Sequence, residues 1–210
     1  MQTPARTGHA LADRAGHLRL WLTVATGVLL DLGTKYLAWR RLGAPLEPNA
    51  LGRAYELIPG WIRLVTSRNP GIVFGLNIAD HLPLGPIGGQ AVTVLLTLVT
   101  CILILYVFVR TPAGHRWTHI WCGLVLAGAL GNLYDRLLFG YVRDFIHITR
   151  CVNLFGRTFA WPYVFNLADV YLVAGIAAVA LVYLFGPDER KSKPKGETAR
   201  RERQHGSARP

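Results

Sequence analysis

The chain has 210 residues, half of them hydrophobic (51%), with a formal net charge of +11. That length suits one ordinary domain or a small membrane bundle. Eight of the 23 Lys and Arg lie after Pro187, and no basic stripe with interleaved aromatics runs through the body, which argues against a nucleic-acid partner.

Residues 1–16 are small and polar, with Arg6 and Arg14, and are expected to be a flexible cytoplasmic N-terminus. Leu18–Trp39 is the first membrane span. Basic residues precede its apolar core as in a secretory signal, but no small-residue cleavage site follows. The run continues through Asp31 and Lys35, so it reads as a retained helix. Arg40 to Pro86 is mixed, with turn signals at ELIPG and RNPG. Trp61–Thr66 and Ile72–Phe74 are β-branched and aromatic and read as short strands around Asn69-Pro70-Gly71, part of a small sheet on the membrane surface over about residues 45–80.

Gly88–Val109 is the cleanest span, with the roughly 20 apolar residues a crossing needs. RTPAGHR is a short polar turn. Trp117–Phe139 is the third span and Val164–Phe185 the fourth, and Gly140–Tyr163 between them reads as a loop with four charges. Residues 17–186 thus form a four-helix membrane domain, and 187–210 a disordered basic tail of the kind that flanks a membrane on its cytoplasmic side. Four spans place both termini on one side. With the tail cytoplasmic, 13 basic residues fall inside and 10 outside, so the orientation rests mainly on the tail. No internal repeat is visible.

Cys101, Cys122 and Cys151 have no metal-ligand spacing, so neither a disulfide framework, a zinc site nor another cofactor is expected. Ser67 is the one serine outside the tail, which argues against a serine nucleophile. His147 and Cys151 lie four apart, a spacing that means little in a loop.

The ionisable residues in apolar surroundings carry more information, because such groups are costly and usually mark a functional site. Asp31 and Lys35 share a helix face, either as an intrahelical ion pair or with Lys35 snorkelling to the interface. Asn132, Asp135 and Arg136 also share a face, below a stripe of Gly123, Ala127 and Gly131 that lets another helix approach closely. The adjacent cation Arg136 suits Asp135 to a scaffold, since it favours the ionised form. Asn166 and Asp169 share a face at the start of the last span, and Asp144 sits in VRDF between apolar neighbours. Arg143, if that segment is extended, points to the face opposite Asp144. Two carboxylates at one site share a proton, so one accepts from water while the other donates to a carbonyl oxygen.

These residues resemble lipoprotein signal peptidase (signal peptidase II), a family of bacterial intramembrane aspartyl proteases, over about Leu18–Phe185. DLGTK at Asp31–Lys35 is similar to the first-helix block, and RNPGIVFGL at Arg68–Leu76 to the N-x-G-x-x-F block. GALGNLYDRLLFGYVRDFI at Gly128–Ile146 is similar to the G-x-x-G-N-x-x-D-R…G-x-V-x-D-F block, and FNLAD at Phe165–Asp169 to the F-N-x-A-D block. The resemblance implies four transmembrane helices, a small extracytoplasmic β-cradle and cytoplasmic termini. It makes Asp144 and Asp169 the catalytic dyad, with Asn69, Asn132, Asp135, Arg136 and Asn166 lining or supporting the site. Asp31 and Lys35 take a structural or substrate-positioning role. It also implies the substrate, a prolipoprotein carrying a diacylglyceryl-cysteine, cut just before that cysteine, with membrane lipids as surroundings. The chain departs from the pattern at Pro70, Ile72 and Val73, and in the insert ITRCVNLFGRTFAWPY before Val164. The rival readings are a proton-coupled transporter, which would show repeated halves with broken helices, and a non-catalytic lipid-binding scaffold.

Overall fold

A computed structural model describes residues 13–46, 50–71, 85–154, 157–159 and 161–185. Four helices and six strands are present among them: α1 (Arg14–Leu42), β1 (Ala54–Ile58), β2 (Ile62–Asn69), α2 (Gly85–Arg110), α3 (Arg116–Phe139), β3 (Val142–Ile148), β4 (Val152–Leu154), β5 (Arg157–Phe159), β6 (Val164–Phe165) and α4 (Leu167–Phe185). The fold is mostly helical with a small antiparallel sheet. One compact unit ends at Val179, and the other runs from Ala180 to Pro210. The expected strand at Ile72–Phe74 and the basic tail lie outside the described residues.

Among the described residues, three helices are long and apolar enough to cross a membrane: Ile87–Arg110, Arg116–Phe139 and Leu167–Phe185. α1 is different. It has 29 residues, but charges interrupt its apolar run. It buries those charges: Asp31 and Lys35 are 0% exposed while Leu29 on the same helix is 73% exposed. Polar inside and apolar outside is the reverse of a helix facing water. α1 begins at Arg14, earlier than the polar composition of residues 1–16 implies, because Asp13 caps it: its carboxylate accepts the Ala15 N–H at 3.2 Å.

α3 is the central element, and its small residues make it so. Gly123 faces Thr23 and the Leu20 carbonyl of α1, Ala127 faces Gly27, and Gly131 faces the Asp31 carboxylate. The stripe read from the sequence is therefore the α1–α3 seam. A second set serves α4: Gly128 lies against the Ala168 carbonyl, and Gly175 against Val125 and the Trp121 carbonyl. A methyl at Gly128 would meet backbone, which cannot rotate away. Gly128→Ala is expected to destabilise the protein by about 1–3 kcal/mol through overpacking. It should also lower activity by pushing out the start of α4, whereas Gly114→Ala, where a Cβ meets open space, should do neither; thermal unfolding in detergent checks this.

The apolar core is built from Leu20, Val24, Ile104, Phe108, Cys122, Val125 and Leu126 of α1, α2 and α3. The polar residues gather further along α1 and α3, beside the sheet.

The sheet has the order β1-β2-β3-β6. Two sequence expectations are corrected here. Gly140–Tyr163 is not a loop: it holds β3, β4 and β5. Its Val142, Phe145, Ile146 and Ile148 are strand-forming residues, and long-range pairing with β2 (Ile62↔Ile148 to Asn69↔Val142) fixes them. The last helix starts at Leu167 rather than Val164, because Val164–Phe165 pairs with β3 instead. Gly140, with φ 78° in the left-handed region, ends α3 and turns the chain into β3. Beside Asp144 the register shifts: Leu64 to Ser67 on β2 spans three steps against two from Ile146 to Asp144 on β3. This β-bulge is a device often found next to active sites.

Candidate active site

The FNLAD segment builds its own turn. Asn166 precedes the first helical residue of α4, and Asp169 is the third. The Asn166 side-chain oxygen accepts the Asp169 N–H at 3.1 Å, and the Asp169 Oδ2 accepts the Asn166 N–H at 3.1 Å. This is a reciprocal capping box, made here with Asn and Asp. A third amide of the same turn, Ala168 N–H, donates to Asp31 Oδ1 of α1 at 3.0 Å. The helix start is thus held by its own side chains and by a carboxylate from another helix.

Asp144 comes from β3. Asn69 stands opposite Val142 in the register, so Asp144 is its diagonal neighbour on the same face of the sheet. Asn69 Nδ2 donates to Asp144 Oδ2 at 2.9 Å. The RNPG turn orients that amide: Asn69 Oδ1 accepts the Gly71 N–H at 2.9 Å, and Arg136 Nη2 donates to the Gly71 carbonyl at 2.8 Å.

Asn166 joins the two acids. Its Nδ2 donates to Asp144 Oδ1 at 2.6 Å while its backbone N–H holds Asp169. Asn132 Nδ2 donates to Asp169 Oδ1 at 2.9 Å. Among the described residues each of the four carboxyl oxygens therefore has one donor, one fewer than it can accept. Asp144 is 1% exposed and Asp169 5%. Burial first, and then the negative charge of Asp169, push the Asp144 carboxyl well above the usual carboxylate range; the Asn69 and Asn166 hydrogen bonds act the other way.

Behind the acids lies a buried ionic layer. Lys35 Nζ reaches Asp31 Oδ2 at 2.8 Å, Asp135 Oδ2 at 3.3 Å and Asn132 Oδ1 at 2.9 Å. Of the two readings for Lys35, the structure selects the ion pair: the side chain is fully buried and does not snorkel. For Asp135, adjacency in sequence points to Arg136 as a cation. Its shortest ion pair is instead to Arg143 Nη2, at 2.7 Å, and it also accepts the Arg143 N–H at 3.0 Å. Arg143 stacks its guanidinium 4.5 Å from the centre of the Phe139 ring. Sequence reasoning put Arg143 on the face opposite Asp144 but gave it no task; strand alternation was the signal. Gln90 of α2 was missed altogether, and it donates to the Arg136 carbonyl at 2.9 Å.

All nine residues singled out in the sequence thus meet in one network. A cavity of about 400 Å³ opens beside it between α2, α3 and α4, from Leu96 and Ile176 to Asn132 and Arg136. Among the described residues, no group of three or more His, Cys, Asp or Glu is placed to hold a metal ion. Buried acids without a strong base or nucleophile beside them suit proton transfer to and from a bound water.

The family model for signal peptidase (SPase) II matches residues 23–185. The lipoprotein signal peptidase of Clostridium novyi (strain NT) is 31% identical over 166 residues, covering 78% of this chain and 95% of the relative. That of Staphylococcus aureus (strain JH9) is 28% identical over 166 residues, covering 79% and 88%. Two solved structures of a bacterial membrane enzyme, both determined in meso, superpose with TM-scores of 0.61 and 0.58. Their identities are 26% and 27%; the first covers 83% of this chain and 91% of its own, the second 80% and 93%. With its apolar helices and this match along most of its length, the chain is an integral membrane protein of the signal peptidase II family, the peptidases that remove signal peptides in lipoprotein maturation.

Proposed function

We propose that the chain is an aspartic endopeptidase that cuts prolipoproteins just before the diacylglyceryl-modified cysteine, with Asp144 and Asp169 as the catalytic pair. The observation that carries this reading is that Asn166 touches both buried carboxyls at once. The pair holds a water. One carboxylate takes a proton from it as its oxygen attacks the scissile carbonyl, and the other carboxyl protonates the carbonyl oxygen. Collapse of the tetrahedral intermediate breaks the C–N bond, and the leaving amine takes a proton from the pair. The roles of base and acid belong to the pair, because coupled groups titrate as a unit. The Asn69, Asn132 and Asn166 amides orient the acids; Asp31, Lys35, Asp135 and Arg136 hold those amides and the α4 start.

In this reading α1 is a fourth crossing. Its 29 residues span about 44 Å at 1.5 Å per residue, and it hides its charges from the side where its leucines are exposed. Four crossings put both termini in the cytoplasm beside the basic tail, in the bacterial inner membrane. The sheet and the acids then lie at the extracytoplasmic face, the sheet as a cradle over the substrate's cut site. The apolar cavity between α2, α3 and α4 lies beside the acids and suits the substrate's signal helix. Compact, buried acids at one end of the helices favour a peptidase over a transporter or scaffold, where a mid-span polar path or no paired acids would be expected.

Incubating the purified protein with a diacylglyceryl-modified precursor, and with the unmodified precursor, tests the reading. A shortened product from the modified form alone is expected; no product would overturn it. A pH profile probes the pair. The raised Asp144 retains its proton above the usual carboxylate range, so kcat/KM should fall on the alkaline side as that proton is lost. The Asn69 hydrogen bond favours the charged form. Asn69→Ala should therefore move the alkaline limb to higher pH, whatever it does to the height of the profile. An unmoved or lowered limb would show that Asp144 does not set it.

A further inference from the structure

A two-stranded insert lies between β3 and β6. β4 and β5 pair antiparallel, Val152 opposite Phe159, and return the chain to Trp161, shortly before β6. His147 of β3 holds Trp161 in place. Arg63 Nε of β2 donates to His147 Nδ1 at 2.9 Å, and His147 Nε2 lies 3.2 Å from the Trp161 carbonyl oxygen. An arginine only donates, so Nδ1 is bare and Nε2 carries the hydrogen that the carbonyl accepts. The ring thus fixes the Trp161 backbone to two strands, and Trp161 packs edge-on against Tyr163 at 6.0 Å.

Trp161 lines a second cavity, of about 290 Å³, on the sheet side of α4. Ile148, Trp161 and Phe165 form one end, Val170 and Val173 the other, and Asp169 is its one charged lining residue. Val170 and Val173 are exposed, so the cavity opens sideways to hydrocarbon. The Asp169 oxygens do not face into it, and no polar atom is exposed along its lining, so the N–H and C=O groups of a peptide segment would be costly to bury there. An acyl chain has no such groups and already resides in hydrocarbon.

We infer that this cavity takes an acyl chain of the substrate's diacylglyceryl group, and that Trp161, clamped by Arg63 and His147, is the wall that sets its affinity. The inference rests on the peptidase reading above. Its test uses precursors whose diacylglyceryl group bears hexadecanoyl or hexanoyl chains. The intact enzyme should show a KM roughly tenfold lower for the long chains. Trp161→Ala should raise the long-chain KM to near the short-chain value, with kcat changed less than about twofold, and Trp161→Phe should restore most of the difference. His147→Phe, which removes both ring contacts, should act as Trp161→Ala does. His147→Gln, which can accept from Arg63 and donate to the carbonyl, should not. If Trp161→Ala fails to fold, the two His147 variants read out the same wall.

An unchanged long-chain preference in the folded Trp161 and His147 variants, on an enzyme that cleaves, would overturn the inference and leave the peptidase reading standing. So would a change that follows the residue preceding the cysteine rather than the chain length, since the occupant would then be peptide. Absence of cleavage by the unaltered enzyme would instead overturn the peptidase reading.

Discussion

Asp144→Asn and Asp169→Asn are each expected to lower kcat for a diacylglyceryl-modified precursor by at least about 10³-fold, at the upper part of the range that proton-transfer groups supply. An amide can neither take the proton of the attacking water nor return one to the carbonyl oxygen. The double variant should lose little more than either single one, because groups that act as a unit are strongly non-additive. The fold should survive. In Asp144→Asn the new amide N–H must face Asn69 or Asn166, both of which donate to that carboxyl, at a cost of about 1–3 kcal/mol. A modest fall in the unfolding midpoint, with cleavage abolished, is therefore the expected pair of results. Retained cleavage in Asp169→Asn would sink the assignment of the dyad, and two losses that multiply in the double variant would mean that the acids do not work as a pair.

Lys35→Met carries the largest expected stability effect. It removes a fully buried cation from two fully buried carboxylates, Asp31 at 2.8 Å and Asp135 at 3.3 Å. Breaking a buried ion pair by deleting one partner costs roughly 3–5 kcal/mol, because the charge left behind has no water. Asp135 retains Arg143, so most of the damage falls on Asp31. Adding Asp31→Asn to Lys35→Met should then restore more than about 1 kcal/mol, since contacting residues couple by that order. The amide keeps an oxygen for the Ala168 N–H. Thermal unfolding of Lys35→Met, Asp31→Asn and the double variant in detergent measures the coupling. Losses that simply add would show that Lys35 does not offset Asp31. Lys35→Met should also reduce cleavage in the fraction that folds, because Lys35 holds the Asn132 oxygen whose amide donates to Asp169.

Much of this site was legible in the sequence because its pieces are local. Asn166 and Asp169 are three residues apart, and that spacing alone makes a capping box once a helix starts between them. Asp31 and Lys35 are four apart and pair along one helix face. The small residues of α3 mark where other helices approach. Apolar runs marked four helices as candidate spans, and the acids stood out against them.

Pairings between distant residues were not legible. Asn69 reaches Asp144 across 75 positions, Lys35 reaches Asn132 across 97, and Asp31 reaches the Ala168 amide across 137. The Arg143–Asp135 pair was not legible either, because Arg143 returns to that acid from a strand. β3 was not legible as a strand because its partner, β2, lies on the far side of two helices in the chain.

The sequence by itself determined which residues carry charge and which runs are helical, since those follow from spacing along one element. Tertiary structure alone decided that Asn166 touches both acids and that Trp161 walls a cavity beside one of them. Such contacts depend on how closely the helices approach, and that distance is set where Gly123, Gly128 and Gly131 present no side chain.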